Sequence, residues 1–212
     1  DVVVVRGAGC CGALALHQGE RAAAEAWAGV NIEAFSAENQ RAPLDAVVSN
    51  ASGCGTMVKD YGALFRHHPA MAENAARIAA MARDVSEVLA DLGPLKPVGL
   101  GKLRVAYHGA CSLQHGQKVH DGPKALLAEA GFEVVEAAEG HLCCGSAGTD
   151  NILQPELAGR LRDRKIENLK AAGGQIIATG NIGCLVQIAG GLADSDEGRA
   201  IPVAPPVELL DW

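Results

Sequence analysis

The sequence has 212 residues, 49% of them apolar and 3% aromatic, with a formal net charge of −7. The apolar content can form a real core, and Ala, Val, Leu and Ile must fill it because aromatic side chains are scarce. A negative charge without any run of basic residues excludes a nucleic-acid surface, which needs clustered Lys and Arg. No run of about 18 apolar residues occurs, so no transmembrane helix is expected.

The first part of the chain contains two short motifs that each end in cysteine. The apolar run Asp1–Val5 predicts a buried strand, and Cys10, Cys11 and Gly12 follow it. Because proteins rarely begin inside a strand, further residues are expected upstream. A second predicted strand, in DAVVSNASGC (45–54), leads through an Asn-bearing loop to Cys54.

A long amphipathic segment and a loop-rich segment follow. Apolar residues at helical spacing predict one helix over 69–92, whose Met-bearing stripe indicates a packing surface more than a cofactor site. The Gly- and Pro-rich stretch Gly93–Gly101 predicts a linker. We therefore expect two domains, residues 1–97 and 98–212.

The second part repeats these motifs and adds one more. A predicted strand at Leu103–Tyr107 leads to Cys111, a strand beginning at Glu133 leads to Cys143 and Cys144, and a strand in QIIATGNIGC (175–184) leads to Cys184. Helices are predicted between them. Pro123 and Gly131 bracket one, and residues 155–171 form another whose apolar face carries Leu157, Leu161, Ile166 and Leu169.

The spacing of the motifs indicates an internal repeat. The Cys pair and the later single Cys are separated by 42 residues (12–53) in the first copy and by 39 (145–183) in the second. Alternating strands and helices predict parallel sheets with right-handed crossovers. The expected fold class is therefore α/β, with two similar halves whose parallel sheets are flanked by helices.

The cysteines are the main chemical signal. Seven is an odd number, and two pairs are adjacent in sequence, so a disulfide framework is disfavoured. Ligands gather at the carboxyl ends of parallel strands. We therefore expect Cys111, Cys143, Cys144 and Cys184 to converge on an iron–sulfur cluster or a zinc ion. Cys10, Cys11 and Cys54 should form an incomplete equivalent, with a fourth Cys upstream; the alternative is that these cysteines simply pack as small apolar residues.

Two histidines lie close to the predicted ligands in sequence. His108 precedes Cys111 by three residues, and His141 precedes Cys143 by two. Either could hydrogen-bond to a cluster sulfur or couple protons to electron transfer, or could be an ordinary loop histidine bonded to backbone. We treat both as candidates for the surroundings of the metal rather than as ligands.

These motifs resemble the tandem Cys-Cys-Gly domains of heterodisulfide reductase subunits, lactate-utilisation proteins and glycolate oxidase iron–sulfur subunits. The resemblance to the glycolate oxidase subunit is the most detailed and extends along the whole chain. It rests on the strings CCGALALHQGE (10–20), NASGCGTMVKDYG (50–62), CSLQHGQKV (111–119), HLCCGSAGT (141–149), NILQPELA (151–158), IATGNIGC (177–184) and VELLDW (207–212).

The resemblance implies an electron-transfer role without substrate chemistry on this chain. Flavin-containing partner subunits would oxidise glycolate to glyoxylate, and this subunit would pass the electrons on toward the quinone pool. It also implies iron–sulfur clusters of the four-iron type, a cytoplasmic location with peripheral attachment to the inner face of the plasma membrane, and an N-terminal ferredoxin-type region that is absent from this sequence.

The sequence departs from the fullest family pattern at the last cysteine of each copy. Met57 and Gln187 stand where a fifth Cys would be, so each copy offers at most four thiols. An ordinary four-iron cluster remains compatible, whereas thiol–disulfide chemistry of the heterodisulfide type is disfavoured. Gly109-Ala110 and Ala204-Pro205 are further departures, in loops near the site. A subunit of a related lactate-utilisation or heterodisulfide-reductase-type complex is the alternative function, and a Cys₄ zinc structural module is the alternative from another functional class.

Overall fold

The computed structural model describes residues 1–93 and 102–211, which fall into two units. The first contains Asp1–Ser49 and Gly53–Asp84, and the second contains Asn50–Ser52 and Val85–Trp212. The predicted boundary between residues 97 and 98, and all of the predicted linker except Gly93, lie outside the described residues.

The first unit is a small parallel sheet with helices around it. Strand β1 pairs in parallel with β2, with Val47 opposite Ala82 and Ser49 opposite Asp84. The apolar core lies between these strands and the helices and includes Ile32, Tyr61 and Ile78. The elements in chain order are α1 (Ala13–His17), α2 (Arg21–Arg41), β1 (Val47–Ser49), α3 (Ser52–Lys59), α4 (Tyr61–Leu64), α5 (Ala72–Met81) and β2 (Ala82–Asp84).

Two predictions about the first part of the chain are wrong. Asp1–Val5 forms no strand, and Val2 is 97% exposed. An apolar run becomes a buried strand only where a sheet edge accepts it, and this run pairs with no described strand. The predicted helix over 69–92 is also interrupted, because Ala82 turns to extended backbone (φ −70°, ψ 125°) and residues 82–84 form β2.

The second unit is larger and contains a four-stranded parallel sheet in the order β4-β3-β5-β6. Its elements are α6 (Val85–Leu92), β3 (Arg104–His108), a π-helical turn (Ser112–Gly116), α7 (Gly122–Glu129), β4 (Glu133–Glu136), α8 (Asp150–Leu153), α9 (Pro155–Ala171), β5 (Ile176–Thr179), α10 (Ile182–Leu192), α11 (Asp196–Arg199), β6 (Val203–Ala204) and α12 (Pro206–Leu209).

Helices cover both faces of this sheet, and the alternation of side chains along β3 and β5 decides what each face contains. Val105 and Ile176 pack in a cluster with residues of α7 and α12. Ala106 and Ile177 pack on the opposite face with residues of α9 and α10. By the same alternation, His108 and Thr179, which are opposite one another in the register, point toward the α9/α10 face.

Helix α9 occupies the predicted span, but its buried face is rotated from the predicted one. Leu157 is exposed and Leu161 is only half-buried, whereas Ile166 and Leu169 are buried as expected. Ala158 and Lys165 complete the buried face. The difference arises because a lysine occupies an inward position that a hydrophobic pattern does not count as buried.

The two units repeat the same local arrangement. Cys54 is the third residue of α3 and follows the end of β1 by five residues; Cys184 is the third residue of α10 and follows the end of β5 by five. Each of these strands pairs in parallel with a later short strand, β2 or β6, that the sequence did not predict. The α/β fold class with repeated parallel sheets is confirmed. Among the helices described, none is long and apolar enough to cross a membrane.

Candidate metal centre

Four cysteine side chains come together at the carboxyl ends of the strands of the second unit. The thiol of Cys143 contacts those of Cys111 and Cys144, and the thiol of Cys144 contacts that of Cys184. Cys111 follows β3, the Cys143–Cys144 pair follows β4, and Cys184 lies in the first turn of α10 after β5. Because β4, β3 and β5 are adjacent, their loops meet at one place.

One end of this group is deep and the other is accessible. Cys144 and Cys184 are buried, whereas Cys111 and Cys143 are half-buried. A ring nitrogen of His108 and the sulfurs of Cys144 and Cys184 all lie within 4.8 Å of one another. His108 is only 2% exposed, and its Nε2 atom has no hydrogen-bond partner among the described residues; the same holds for the hydroxyl of buried Thr179. An unpartnered buried atom on the His108 ring, beside the Cys144 and Cys184 sulfurs, fits a bound group.

The backbone around the cysteines favours thiolates. The N–H of Gly145 donates to the Cys143 sulfur at 3.4 Å, and Ser146 and Ser112 give backbone hydrogen bonds to Cys144 and Cys111. Successive N–H groups of this kind create a pocket for negative charge.

The protons are shared unequally among the four thiols. Contact with Cys111, and then with Cys144, lowers the pKa of Cys143. Contact with Cys144 likewise lowers the pKa of Cys184, helped by His108 and Asn181, whose amide lies 3.6 Å from its sulfur. The pKa values of Cys111 and Cys144 are raised in turn, chiefly by their contacts with Cys143. The arrangement therefore already tolerates thiolates, the form that binds metal.

Helix α9 holds the Cys143–Cys144 loop through two close approaches. Gly145 has φ +90°, and a Cβ atom placed there would lie 2.2 Å from the carbonyl oxygen of Ala158. Upstream, Glu139 adopts φ +54°, and its carbonyl accepts a hydrogen bond from Lys165 Nζ at 2.8 Å. The Glu139 carboxylate is bound by Arg164, which lowers its pKa to about 2, and by Asn168.

The first unit brings its three cysteines together in a similar way. The thiols of Cys11 and Cys54 share a hydrogen bond, which is the main reason why the pKa of Cys54 is lowered and that of Cys11 raised. Cys10 is close enough to act on Cys54 electrostatically. The three cysteines line a cavity of about 230 Å³, together with Asn31, Val47 and other residues.

Comparison with known proteins places this cysteine pattern in a family. The family model for the CCG cysteine-rich domain matches residues 1–59 and 105–189, which cover both cysteine groups.

The chain belongs to the CCG cysteine-rich domain family.

Several curated relatives match this CCG protein over most of its length. It is 36% identical to the glycolate oxidase iron-sulfur subunit of Escherichia coli (strain K12) over 89% of this chain and 46% of that protein. It is 35% identical to the probable glycolate oxidase iron-sulfur subunit of Bacillus subtilis (strain 168), over 89% of this chain and 42% of that protein. The chain therefore spans less than half the length of these two relatives, and the resemblance predicted from the motifs is confirmed.

A second group of relatives has a different name. The CCG protein is 29% identical to lactate utilization protein A of Geobacillus kaustophilus (strain HTA426), over 95% of this chain and 82% of that protein. Relatives with more than one functional name therefore match this chain.

The remaining candidate residues are His141 and the two residues at the fifth-cysteine positions, Met57 and Gln187. His141 is exposed and acts electrostatically on the Glu139 carboxylate, so its proposed role near the metal stays a prediction. Met57, which replaces a fifth cysteine, is buried in the same apolar cluster as Cys11. Gln187, at the other fifth-cysteine position, is half-buried on α10.

Sequence reasoning missed three side chains that support the sites of this CCG protein. Asn31 accepts from Gly9 N at 2.7 Å and donates to Cys10 O at 3.0 Å. Tyr61 donates from its hydroxyl to Cys11 O at 3.0 Å. Lys165 was overlooked although a signal existed, because it lies midway between Leu161 and Leu169 at steps of four residues, on an otherwise apolar stripe.

Removing the Tyr61 hydroxyl should destabilise the first unit. Tyr61 is fully buried, and its hydroxyl also accepts from Asn31 Nδ2 at 3.1 Å. Tyr61→Phe therefore leaves the Cys11 carbonyl without its donor, at a cost of roughly 1–3 kcal/mol. Denaturant unfolding should show this loss, whereas Trp27→Phe at a half-exposed position of α2 should change stability by less than about 0.5 kcal/mol. Equal stabilities for the two variants would contradict the bonding role of the hydroxyl.

Proposed function

We propose that this chain is part of an iron–sulfur electron-transfer subunit of a glycolate-oxidising complex. Cys111, Cys143, Cys144 and Cys184 would hold a cluster of the four-iron type in the second unit, and Cys10, Cys11 and Cys54 would contribute to a site in the first. The observation that carries the proposal is the unbroken line of contacts among the four thiols at the carboxyl edge of the sheet. The curated glycolate oxidase subunits support the choice of cofactor and complex.

The residues of the second unit fit an iron–sulfur cluster on chemical grounds. Four cysteine thiols are the usual ligand set of such clusters. Backbone N–H groups directed at three of the sulfurs provide hydrogen bonds of the kind that adjust a cluster's potential, and the Nε2 atom of His108, which has no partner among the described residues, would be free to bond to a bound cluster. When bound, the cluster would accept and release single electrons.

The chain itself would control access to that chemistry. Cys144, Cys184 and His108 are buried and would exclude water from the deep end of the site. Cys111 and Cys143 are half-buried, so we propose that electrons enter and leave at their end. Flavin-containing partner subunits would deliver the electrons, and the quinone pool would receive them. We expect a cytoplasmic protein attached peripherally to the inner face of the plasma membrane.

A zinc site is the second candidate, and one observation favours it. His108, Cys144 and Cys184 offer one nitrogen and two sulfurs within 4.8 Å of one another, and Zn²⁺ readily accepts mixed Cys and His ligands. In that case the second unit would be a structural module without redox function.

Iron and acid-labile sulfide analysis separates the two candidates. The full-length protein, purified without oxygen, should be brown, and Cys184→Ser should remove about four irons and four sulfides from it. A colourless protein that contains zinc and no sulfide would refute the iron–sulfur proposal.

The substrate of the complex needs its own measurement. We propose glycolate because the glycolate oxidase relatives are more similar in sequence than the lactate-utilisation relative. The purified complex should reduce its flavin with glycolate at a higher kcat/KM than with lactate. The reverse preference would assign the chain to a lactate-utilising complex and leave the iron–sulfur assignment intact.

A further inference from the structure

Lys165 is a buried cation on the helix that packs against the cysteine loop of the second unit. Its side chain lies on the inner face of α9 and is 1% exposed. Lysine is almost never fully buried unless its charge is paired, because desolvating an ammonium group is costly. Interactions within the second unit must therefore offset the cost of burying this ammonium group.

The direct hydrogen bond of Lys165 is to a neutral group. Nζ donates to the carbonyl oxygen of Glu139 at 2.8 Å, while the carboxylate of Glu139 is bound to Arg164 and Asn168. Burial lowers the pKa of Lys165, and the nearby sulfurs, led by Cys144 and Cys143, oppose that shift. The sulfurs and the Glu139 carboxylate are thus the negative groups that stabilise the ammonium, and of these the carboxylate is already paired with Arg164.

The first unit has a residue at the position that corresponds to Lys165. Lys165 follows Ala158, whose carbonyl packs on Gly145, by seven residues; Asn31 follows Ala24, whose carbonyl packs on Gly12, also by seven. Lys165 and Asn31 therefore occupy equivalent positions in the two repeats.

Both side chains bind the backbone of the loop that precedes the Cys pair. Asn31 bonds to Gly9 and Cys10, and Lys165 bonds to Glu139. In the first unit a neutral amide is enough to bind this loop. The positive charge of Lys165 is therefore not needed to bind the loop and has another role.

We propose that Lys165 is a fixed positive charge that sets the reduction potential of the cluster in the second unit. This inference rests on the proposed function. Reduction adds one negative charge to a thiolate-bound cluster, and a buried ammonium beside it stabilises that charge strongly, because the surroundings have a low dielectric constant. Lys165 therefore raises the potential of the second site, so that it accepts electrons more readily than a site with neutral Asn31 in the same place.

Redox titration of full-length protein carrying its clusters, monitored by electron paramagnetic resonance, tests this role. The signal of the second site is the one that Cys184→Ser removes. Lys165→Gln keeps a donor for Glu139 but loses the charge, and Lys165→Met loses both. In each, the ratio of reduced to oxidised cluster at the wild-type midpoint should fall about tenfold, a shift of 59 mV for one electron.

Two further variants serve as controls. Lys165→Arg keeps the charge and should retain the wild-type midpoint. Lys170→Gln removes a lysine from the same helix that is paired with Glu197 at 2.6 Å, and it should leave the midpoint unchanged. A wild-type midpoint in Lys165→Gln would overturn the inference, as would an equal shift in Lys170→Gln.

The inference and the proposed function fail in different ways. A wild-type protein without any signal that depends on Cys184 would refute the iron–sulfur assignment itself. If Lys165→Gln and Lys165→Met lack the Cys184-dependent signal, Lys165→Arg decides between charge and packing. A signal restored in Lys165→Arg at the wild-type midpoint supports the role of the charge, and a signal that is absent in this variant too overturns the inference.

Discussion

Cys184→Ser in the assembled complex should abolish electron delivery to quinone while leaving flavin reduction by glycolate intact. Cys184 is buried in the first turn of α10, where its sulfur contacts Cys144 and lies close to His108. A serine hydroxyl is a poor replacement, because the thiolate is the ligand that iron–sulfur clusters require. Cys143→Ser should behave in the same way, since its sulfur joins Cys111 to Cys144.

The expected loss of quinone reduction exceeds about a hundredfold, because changes in outer-shell partners alone cost 10–100-fold. Steady-state quinone reduction and stopped-flow flavin reduction measure the two steps separately. Gln187→Ser is the matched control: it makes a polar change three residues further along α10, at a position that offers no thiol, and both rates should persist. If Cys184→Ser also stopped flavin reduction, the cysteine would serve assembly or act directly on the substrate.

Gly145→Ala should disrupt the second site without touching a sulfur. The added Cβ would meet the Ala158 carbonyl oxygen at 2.2 Å and the Arg162 nitrogen at 3.2 Å, both of them backbone atoms of α9 that cannot rotate away. The left-handed φ of +90° adds strain for any residue with a Cβ. Together these effects should lower the free energy of unfolding by roughly 2–5 kcal/mol.

Gly148→Ala provides a control in the same loop. Gly148 also has a left-handed φ, +74°, but a Cβ there would meet nothing within 4 Å. This variant should therefore show only the backbone strain, about 1–2 kcal/mol. Thermal unfolding and iron content should both separate the two variants. Equal losses would mean that strain, and not the contact with α9, explains the glycine of the Cys-Cys-Gly motif.

The parts of the fold that could be predicted are those whose signal is local. Strands β3, β4 and β5 each contain two or three consecutive apolar residues, and Pro155 marks the start of α9. Because the strands are parallel, the positions of the cysteines after them were enough to predict which side chains would meet.

The errors arose where tertiary contacts decide the structure. Strand β2 contains Arg83 and Asp84 and becomes a strand only by pairing with β1, so its sequence resembled a continuing helix. The run Asp1–Val5 has strong strand character but no pairing partner among the described residues. Lys165 is buried where its Nζ can donate to the Glu139 carbonyl, and a hydrophobic pattern does not record such a hydrogen bond.

The strand order of the second unit also constrains when the site can assemble during synthesis. β3 is the first strand of this sheet to be made, yet its neighbours β4 and β5 both come later in the chain. Cys111 and Cys184 are about 70 residues apart, and contacts over such separations form late because the loop must close first. We therefore expect the set of four thiols to remain incomplete on the ribosome until β5 and Cys184 have emerged and docked, so that a cluster is inserted into an already folded unit.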